Sequence, residues 1–203
     1  MDKLRKRKTQ NPCTVCYMHR ERCICHLIPK LNLKTKLTLV VHHRELKRTT
    51  NTGRLAVHAL VNSKMYIRGE GRDPLDLSHL LTDDYESYIL YPSDDAVDIE
   101  SIQPKKPVQL IVSDGNWRQA GKLHRRHAEL KHLPRVRINQ KNLAESHLRR
   151  EHFADGFSTI EAIAIAFGTL EGDPIKESLL RLYKAKLHAT LKGRVVNPAP
   201  PTT

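Results

Sequence analysis

An α/β fold is predicted for this 203-residue chain from three observations. Residues 108–112 (VQLIV) are a short apolar run, entered through Pro104 and Pro107 and stopped by Ser113-Asp114-Gly115-Asn116. Such a run reads as a buried strand ending in a turn, and a helical pattern opens behind it at Trp117, the single tryptophan. The same succession occurs upstream, where KLTLVVH (36–42) precedes a helix with Leu55, Ala59 and Leu60 on one face. Finally, the helix behind Ser158 (IEAIAIAFGTL) is apolar almost all round, which calls for burial between other elements. Strand–turn–helix units put polar side chains at the carboxyl end of a sheet, where open α/β folds take their ligands.

Composition narrows the partners. Lys and Arg number 35 against 22 Asp and Glu, a formal net charge of +13. A surplus of that size points to a polyanion, with nucleic acid first. No stretch approaches the roughly 20 apolar residues of a membrane span, and no apolar signal core follows the N-terminal charges. A cytoplasmic protein without a membrane partner is expected. No particular protein partner is indicated, and the oligomeric state is left open.

Taken in order, residues 1–10 form a basic arm (Lys3, Arg5, Lys6, Arg7, Lys8) that either adds phosphate contacts or is a solvated tail. All four cysteines follow within thirteen residues, as C13-x2-C16-x6-C23-x-C25. Disulfides are not expected in a cytoplasmic protein. Four thiolates on one short segment suit a closed, structural zinc site formed by Cys13, Cys16, Cys23 and Cys25. An iron–sulfur cluster takes the same ligands. Buried free thiols would leave the clustering unexplained. His19 and His26 stand in reserve as ligands.

Behind the strand at 36–42, Thr50-Asn51-Thr52-Gly53 opens a helix, with Asn51 or Thr52 as N-cap. Residues 65–68 are a short apolar piece, and 88–91 (YILY) are a strand cut off by Pro92. Residues 116–130 read as a helix with Ala120, Leu123, His127 and Leu130 on one face, while Arg118, Lys122, Arg125 and Arg126 fall on the opposite stripe. That stripe either grips a phosphate backbone or is simply solvated; the net charge favours phosphate. A further strand is expected at 133–138. Ser158 and Glu161 form a capping box. Asp173 and Pro174 start a last helix, with Ile175, Leu179, Leu182 and Leu187 inward and Gly193 at its end. No P-loop, GxGxxG, HExxH or GxSxG motif occurs.

Read jointly, the cysteine cluster, TNTG (50–53), YPSDDA (91–96), DGNW (114–117) and STIEA (158–162) resemble the DTW-domain family, the tRNA-uridine aminocarboxypropyltransferases, in the bacterial type. Asn116 departs from the family pattern Asp-x-Thr-Trp, and any role needing a hydroxyl there is put in question. The resemblance implies a SPOUT-like α/β fold with a mostly parallel sheet and a knotted cofactor-binding region. On that basis 31–193 is the transferase domain, 11–30 a small zinc module built on the four cysteines, and 194–203 a disordered tail.

It also implies S-adenosylmethionine as donor and a uridine of tRNA, in the variable loop, as acceptor. N3 of the base attacks the methylene carbon next to sulfur, the 3-amino-3-carboxypropyl group moves to N3, and methylthioadenosine leaves. Asp114 is the expected base, or it holds a water that serves as one. Tyr91, Pro92, Gly115, Asn116, Trp117, Ser158, Thr159 and Glu161 are the expected cofactor pocket. Within it Trp117 either stacks on a base or packs in the core, and Glu161 either binds the donor's ammonium or only completes its capping box. Arg44, Arg48, Arg54, Arg118, Lys122, Arg125, Arg126 and Arg149 are the expected RNA contacts. Two other readings compete: a SPOUT-type RNA methyltransferase using the same donor, and a non-catalytic zinc-containing RNA-binding protein.

Overall fold

Residues 37–41 of KLTLVVH are all buried, as a strand covered on both faces requires. In the computed structural model, which describes residues 11–69, 75–115, 127–140 and 156–196, this strand is β1 (Lys36–His42). The others are β2 (Ser63–Arg68), β3 (Glu86–Leu90), β4 (Val97–Asp98), β5 (Val108–Asp114) and β6 (Arg135–Arg137). The sheet runs β2-β1-β5-β3-β6-β4, and every pairing in it is parallel. Among the described residues the α-helices are α1 (Gly53–Ala59), α2 (Ala128–Lys131), α3 (Thr159–Glu171) and α4 (Asp173–Val196).

Strand alternation sorts the core into two layers. Leu39, Val41, Leu110 and Val112 pack with α1, α3 and α4, alongside Ile160, Phe167 and Leu179. Val40, Ile111 and Ile89 face the other way, against Leu77, Leu80 and Leu130. Gln109 is fully buried on that second face because its Nε2 donates to the Leu80 carbonyl at 3.1 Å.

The cysteine segment packs into the main core. Cys16, Met18 and Ile24 belong to the same cluster as the sheet and α4. Lys186 of α4 is fully buried, and its Nζ donates to the Cys16 carbonyl at 2.9 Å. Gly193 reads from sequence as the end of the last helix, but α4 runs on to Val196. A Cβ there would lie 2.5 Å from Nη1 of Arg22, the far end of a long flexible side chain that can shift. Gly168, by contrast, lets α3 and α4 meet, since a Cβ would come within 2.6 Å of Lys176 Cβ.

The strand expected at 88–91 begins earlier and that at 133–138 is shorter. The two-residue β4 carries no hydrophobic pattern that sequence reading could find. Of the helix expected at 116–130, only α2 falls among the described residues; Ala120, Leu123 and the cationic stripe lie outside them. Among the described residues, no helix is long and apolar enough to cross a membrane.

Candidate active site

Two neighbouring strands of the sheet send their chains in opposite directions. β1 leads outward through α1 to β2, whereas β5 leads past β3 to β6. The crevice beyond their carboxyl ends is a topological switch point, where open α/β sheets bind ligands. Asp114 closes β5 there, in register with Val41 of β1, and is only 7% exposed.

A buried carboxylate demands donors, and Asp114 receives them from two directions. Asn51 Nδ2 donates to its Oδ2 at 2.5 Å, and Thr159 Oγ1 donates to its Oδ1 at 2.8 Å. Asn51 also accepts from Arg54 N at 3.3 Å and thereby caps α1. Thr52 serves the neighbouring helix: its Oγ1 accepts from Ile160 N at 3.2 Å, at the start of α3. The starts of α1 and α3 are thus laced together around one carboxylate. Gly53 makes the approach possible, because a Cβ would stand 2.8 Å from Asp114 Oδ2, 3.0 Å from Leu39 Cδ2 and 3.1 Å from Thr159 Cγ2.

Ser158 and Glu161 form the expected capping box, with Ser158 N donating to Glu161 Oε2 at 2.9 Å. Tyr91 and Pro92 follow β3, which flanks β5 on its other side. Gly115 follows Asp114 directly. Asn116, Trp117, Arg118, Lys122, Arg125, Arg126 and Arg149 lie outside the described residues. Sequence reasoning finds Asn51 as a helix cap and misses it as a partner of Asp114; TNTG is the signal that could have found it.

The expected RNA-contacting arginines separate. Arg44 is exposed. Arg48 pairs with the buried Glu45 at 3.0 Å. Arg54 is 8% exposed, with its guanidinium 4.0 Å over the Tyr17 ring and Nη1 donating to the Leu46 carbonyl at 3.0 Å. Arg54 therefore ties α1 to the cysteine segment and presents no free face to a nucleic acid.

The four cysteine sulfurs all lie within 4.8 Å of one another, with Cys13–Cys25 and Cys13–Cys23 at 3.6 Å and Cys16–Cys23 at 3.8 Å. No pair is a disulfide. A tetrahedral ion with metal–sulfur bonds of about 2.3 Å sets its thiolates about 3.8 Å apart, so the set fits a single metal ion. A cluster that interposes iron and sulfide atoms would hold the thiolates further apart. Without a cation the four cannot ionise together. Burial raises Cys13, but the backbone of Cys16 and Val15 outweighs it and brings Cys13 down to about 6. Burial first, and then the thiols of Cys23, Cys13 and Cys16, push Cys25 up. A bound cation removes that conflict by taking all four as thiolates.

The DTW domain matches residues 10–191. The chain is 27% identical to tRNA-uridine aminocarboxypropyltransferase 2 of Macaca fascicularis over 189 residues, covering 88% of this chain and 63% of that protein. It is 25% identical to the protein of the same name from Drosophila melanogaster, covering 94% and 77%. The chain thus spans less than two thirds of the macaque relative. Among solved structures, the SAM-dependent rRNA:acp-transferase Tsr3 from Vulcanisaeta distributa superposes with a TM-score of 0.49 at 17% identity, covering 79% of this chain and 80% of that one.

Proposed function

The chain belongs to the DTW-domain family, and on that premise we propose that it transfers the 3-amino-3-carboxypropyl group of S-adenosylmethionine to N3 of a uridine in tRNA, in the cytoplasm. One observation carries the reading: Asp114 is buried at the switch point and is held by donors from two separate chain segments. Such a carboxylate is pre-set in position, and position is what this reaction needs. The leaving group is a neutral thioether, so no acid has to release it. The N3–C bond forms as the C–S bond breaks, the bonding pair stays on sulfur, and methylthioadenosine departs.

The remaining requirement is removal of the N3 proton. Asn51 and Thr159 each donate to one oxygen of Asp114 and so fix the plane of the carboxylate. Each ionised oxygen can accept more than one hydrogen bond, and the carboxylate takes the proton from uracil N3, directly or through one water. The donor itself is a cation at sulfur and ammonium and an anion at its carboxylate. Asp114 and Glu161 are buried acids that suit the cationic parts. At the cysteine centre we assign one structural zinc, held by Cys13, Cys16, Cys23 and Cys25, that fixes the segment on α4 and α1.

The test is mass spectrometry of nucleosides from an unmodified tRNA transcript incubated with the protein and S-adenosylmethionine. A uridine gaining the aminocarboxypropyl mass, with methylthioadenosine released, is the expected result, and Asp114→Asn abolishes it without loss of fold. A uridine gaining only a methyl group, or no product from a folded, metal-loaded protein across a tRNA pool, would overturn the reading.

A further inference from the structure

A second polar cluster sits at the carboxyl edge of the sheet, on the face away from Asp114. His42 ends β1 one residue beyond Val41, the register partner of Asp114. Strand alternation turns its side chain to the opposite face. Its own cross-strand partner is Arg68, the last residue of β2. His43 follows, with its ring centroid 4.8 Å from that of His42, and Arg44 is exposed beside them. Gly69 closes the group at φ 75°; a Cβ there would lie 3.5 Å from both His42 Nε2 and His43 Cδ2. The His42 tautomer is set by the backbone, because Nδ1 accepts from Arg44 N at 3.3 Å. Nε2 therefore carries the proton and serves as a donor.

We propose that His42, His43, Arg44 and Arg68 form a binding site for an RNA phosphodiester, seated on the rim of the sheet across from the Asp114 crevice. The inference rests on the reading of the chain as a tRNA-modifying enzyme. Arg68 and Arg44 bring positive charge up to the paired imidazoles, and an anion seated on the group meets that charge favourably. Among the described residues, the charged and titratable groups facing His42 are Arg68 from β2 and His43, Arg44 and Glu45 from the turn after β1. The single acid among them, Glu45, is engaged by Arg48 at 3.0 Å. Burial first, and then the charges of Arg68, His43 and Arg44, hold the His42 imidazole below its ordinary range. It is thus neutral near pH 7 until an anion arrives. The donor's carboxylate is a poorer occupant, since it belongs with the reacting carbon on the Asp114 face. An RNA strand crossing the rim reaches both faces, with one phosphate on this cluster and the target base beyond the edge.

Binding then takes up a proton, so affinity for RNA rises as pH falls from about 7.5 to 6. The test uses the full chain with metal bound and compares wild type, His43→Gln and His42→Gln/His43→Gln. An unmodified tRNA transcript is titrated by fluorescence anisotropy over salt and pH, and S-adenosylmethionine by calorimetry. The double variant is expected to bind tRNA about tenfold more weakly at pH 6.5, to lose about one unit of the log K against log salt slope, and to lose the pH dependence. Its affinity for S-adenosylmethionine is unchanged. Should the double variant unfold, the single variant carries the test, with part of the pH dependence lost. Unchanged tRNA affinity and salt slope would overturn the proposal, as would weakened binding of S-adenosylmethionine with tRNA affinity intact. Because binding is read apart from turnover, a wild type that binds tRNA but makes no product would sink the proposed reaction and leave this site standing.

Discussion

Gly53→Ala probes the active-site geometry most directly. The new methyl would stand 2.8 Å from Asp114 Oδ2 and 3.1 Å from Thr159 Cγ2, about 0.6 Å and 0.3 Å inside ordinary van der Waals contact. Asp114 cannot swing aside, since Asn51 and Thr159 hold its two oxygens. Leu39 Cδ2 at 3.0 Å blocks retreat toward the sheet. Overpacking of this kind costs about 1–3 kcal/mol, and the better helix propensity of alanine returns up to about 1 kcal/mol. The net loss of up to about 3 kcal/mol lowers Tm by up to roughly 12 °C for a domain of this size. Activity suffers more than stability, because a misplacement near 1 Å costs on the order of 10²-fold in rate. We expect kcat/KM for tRNA to fall at least about tenfold, in a protein that melts cooperatively and keeps its metal. The assay pairs single-turnover product formation with thermal melts and metal analysis. Wild-type kcat/KM in a variant of lowered Tm would show that the placement of Asp114 against α1 is irrelevant to the chemistry.

Three further outcomes are expected. Metal analysis finds one zinc per chain; strong chelation or Cys16→Ser removes it and lowers Tm, because the buried Lys186–Cys16 contact and the Arg54–Tyr17 stack depend on that segment, and an unchanged melt on stripping would refute a structural metal. Gly168→Ala forces α3 and α4 apart at the 2.6 Å contact with Lys176 Cβ and costs about 1–3 kcal/mol in denaturant unfolding; a gain in stability would show that the helix pair adjusts freely. Burial first, and then neighbouring cations, lowers both His42 and His58 in the folded protein. Their contribution to stability is therefore complete above the unfolded value of about 6.5 and declines as pH falls through it. Melts from pH 7.5 to 5.5 measure this, and stability rising toward acid would contradict it.

Some features were legible in the residues alone. The run at 36–42, partly alternating and then continuous, reads as a strand, and the all-round apolar helix behind Ser158 reads as interior. Four cysteines within thirteen residues bring their ligands together through local chain geometry, which is why the metal-competent cluster was readable. Other features were hidden because the contacts that create them span the chain. Val97–Asp98 forms a strand only because β6 offers it a partner. Gly193 looks like a helix stop, yet the last helix, packed against the rest of the core, runs through it to Val196.

The same division holds at the sites. Sequence placed Asp114 at the end of a buried strand, since a charged residue closing an apolar run must lie at a sheet edge. It placed Ser158 and Glu161 in a capping box, since that motif closes on itself within four residues. Tertiary structure alone decided that Asn51 and Thr159 hold Asp114, that Thr52 caps a helix more than a hundred residues away, and that Arg54 stacks on Tyr17 instead of facing solvent. Local pattern reports which backbone each stretch adopts; it carries no record of which distant loop a parallel sheet, with its long crossovers, will set beside it.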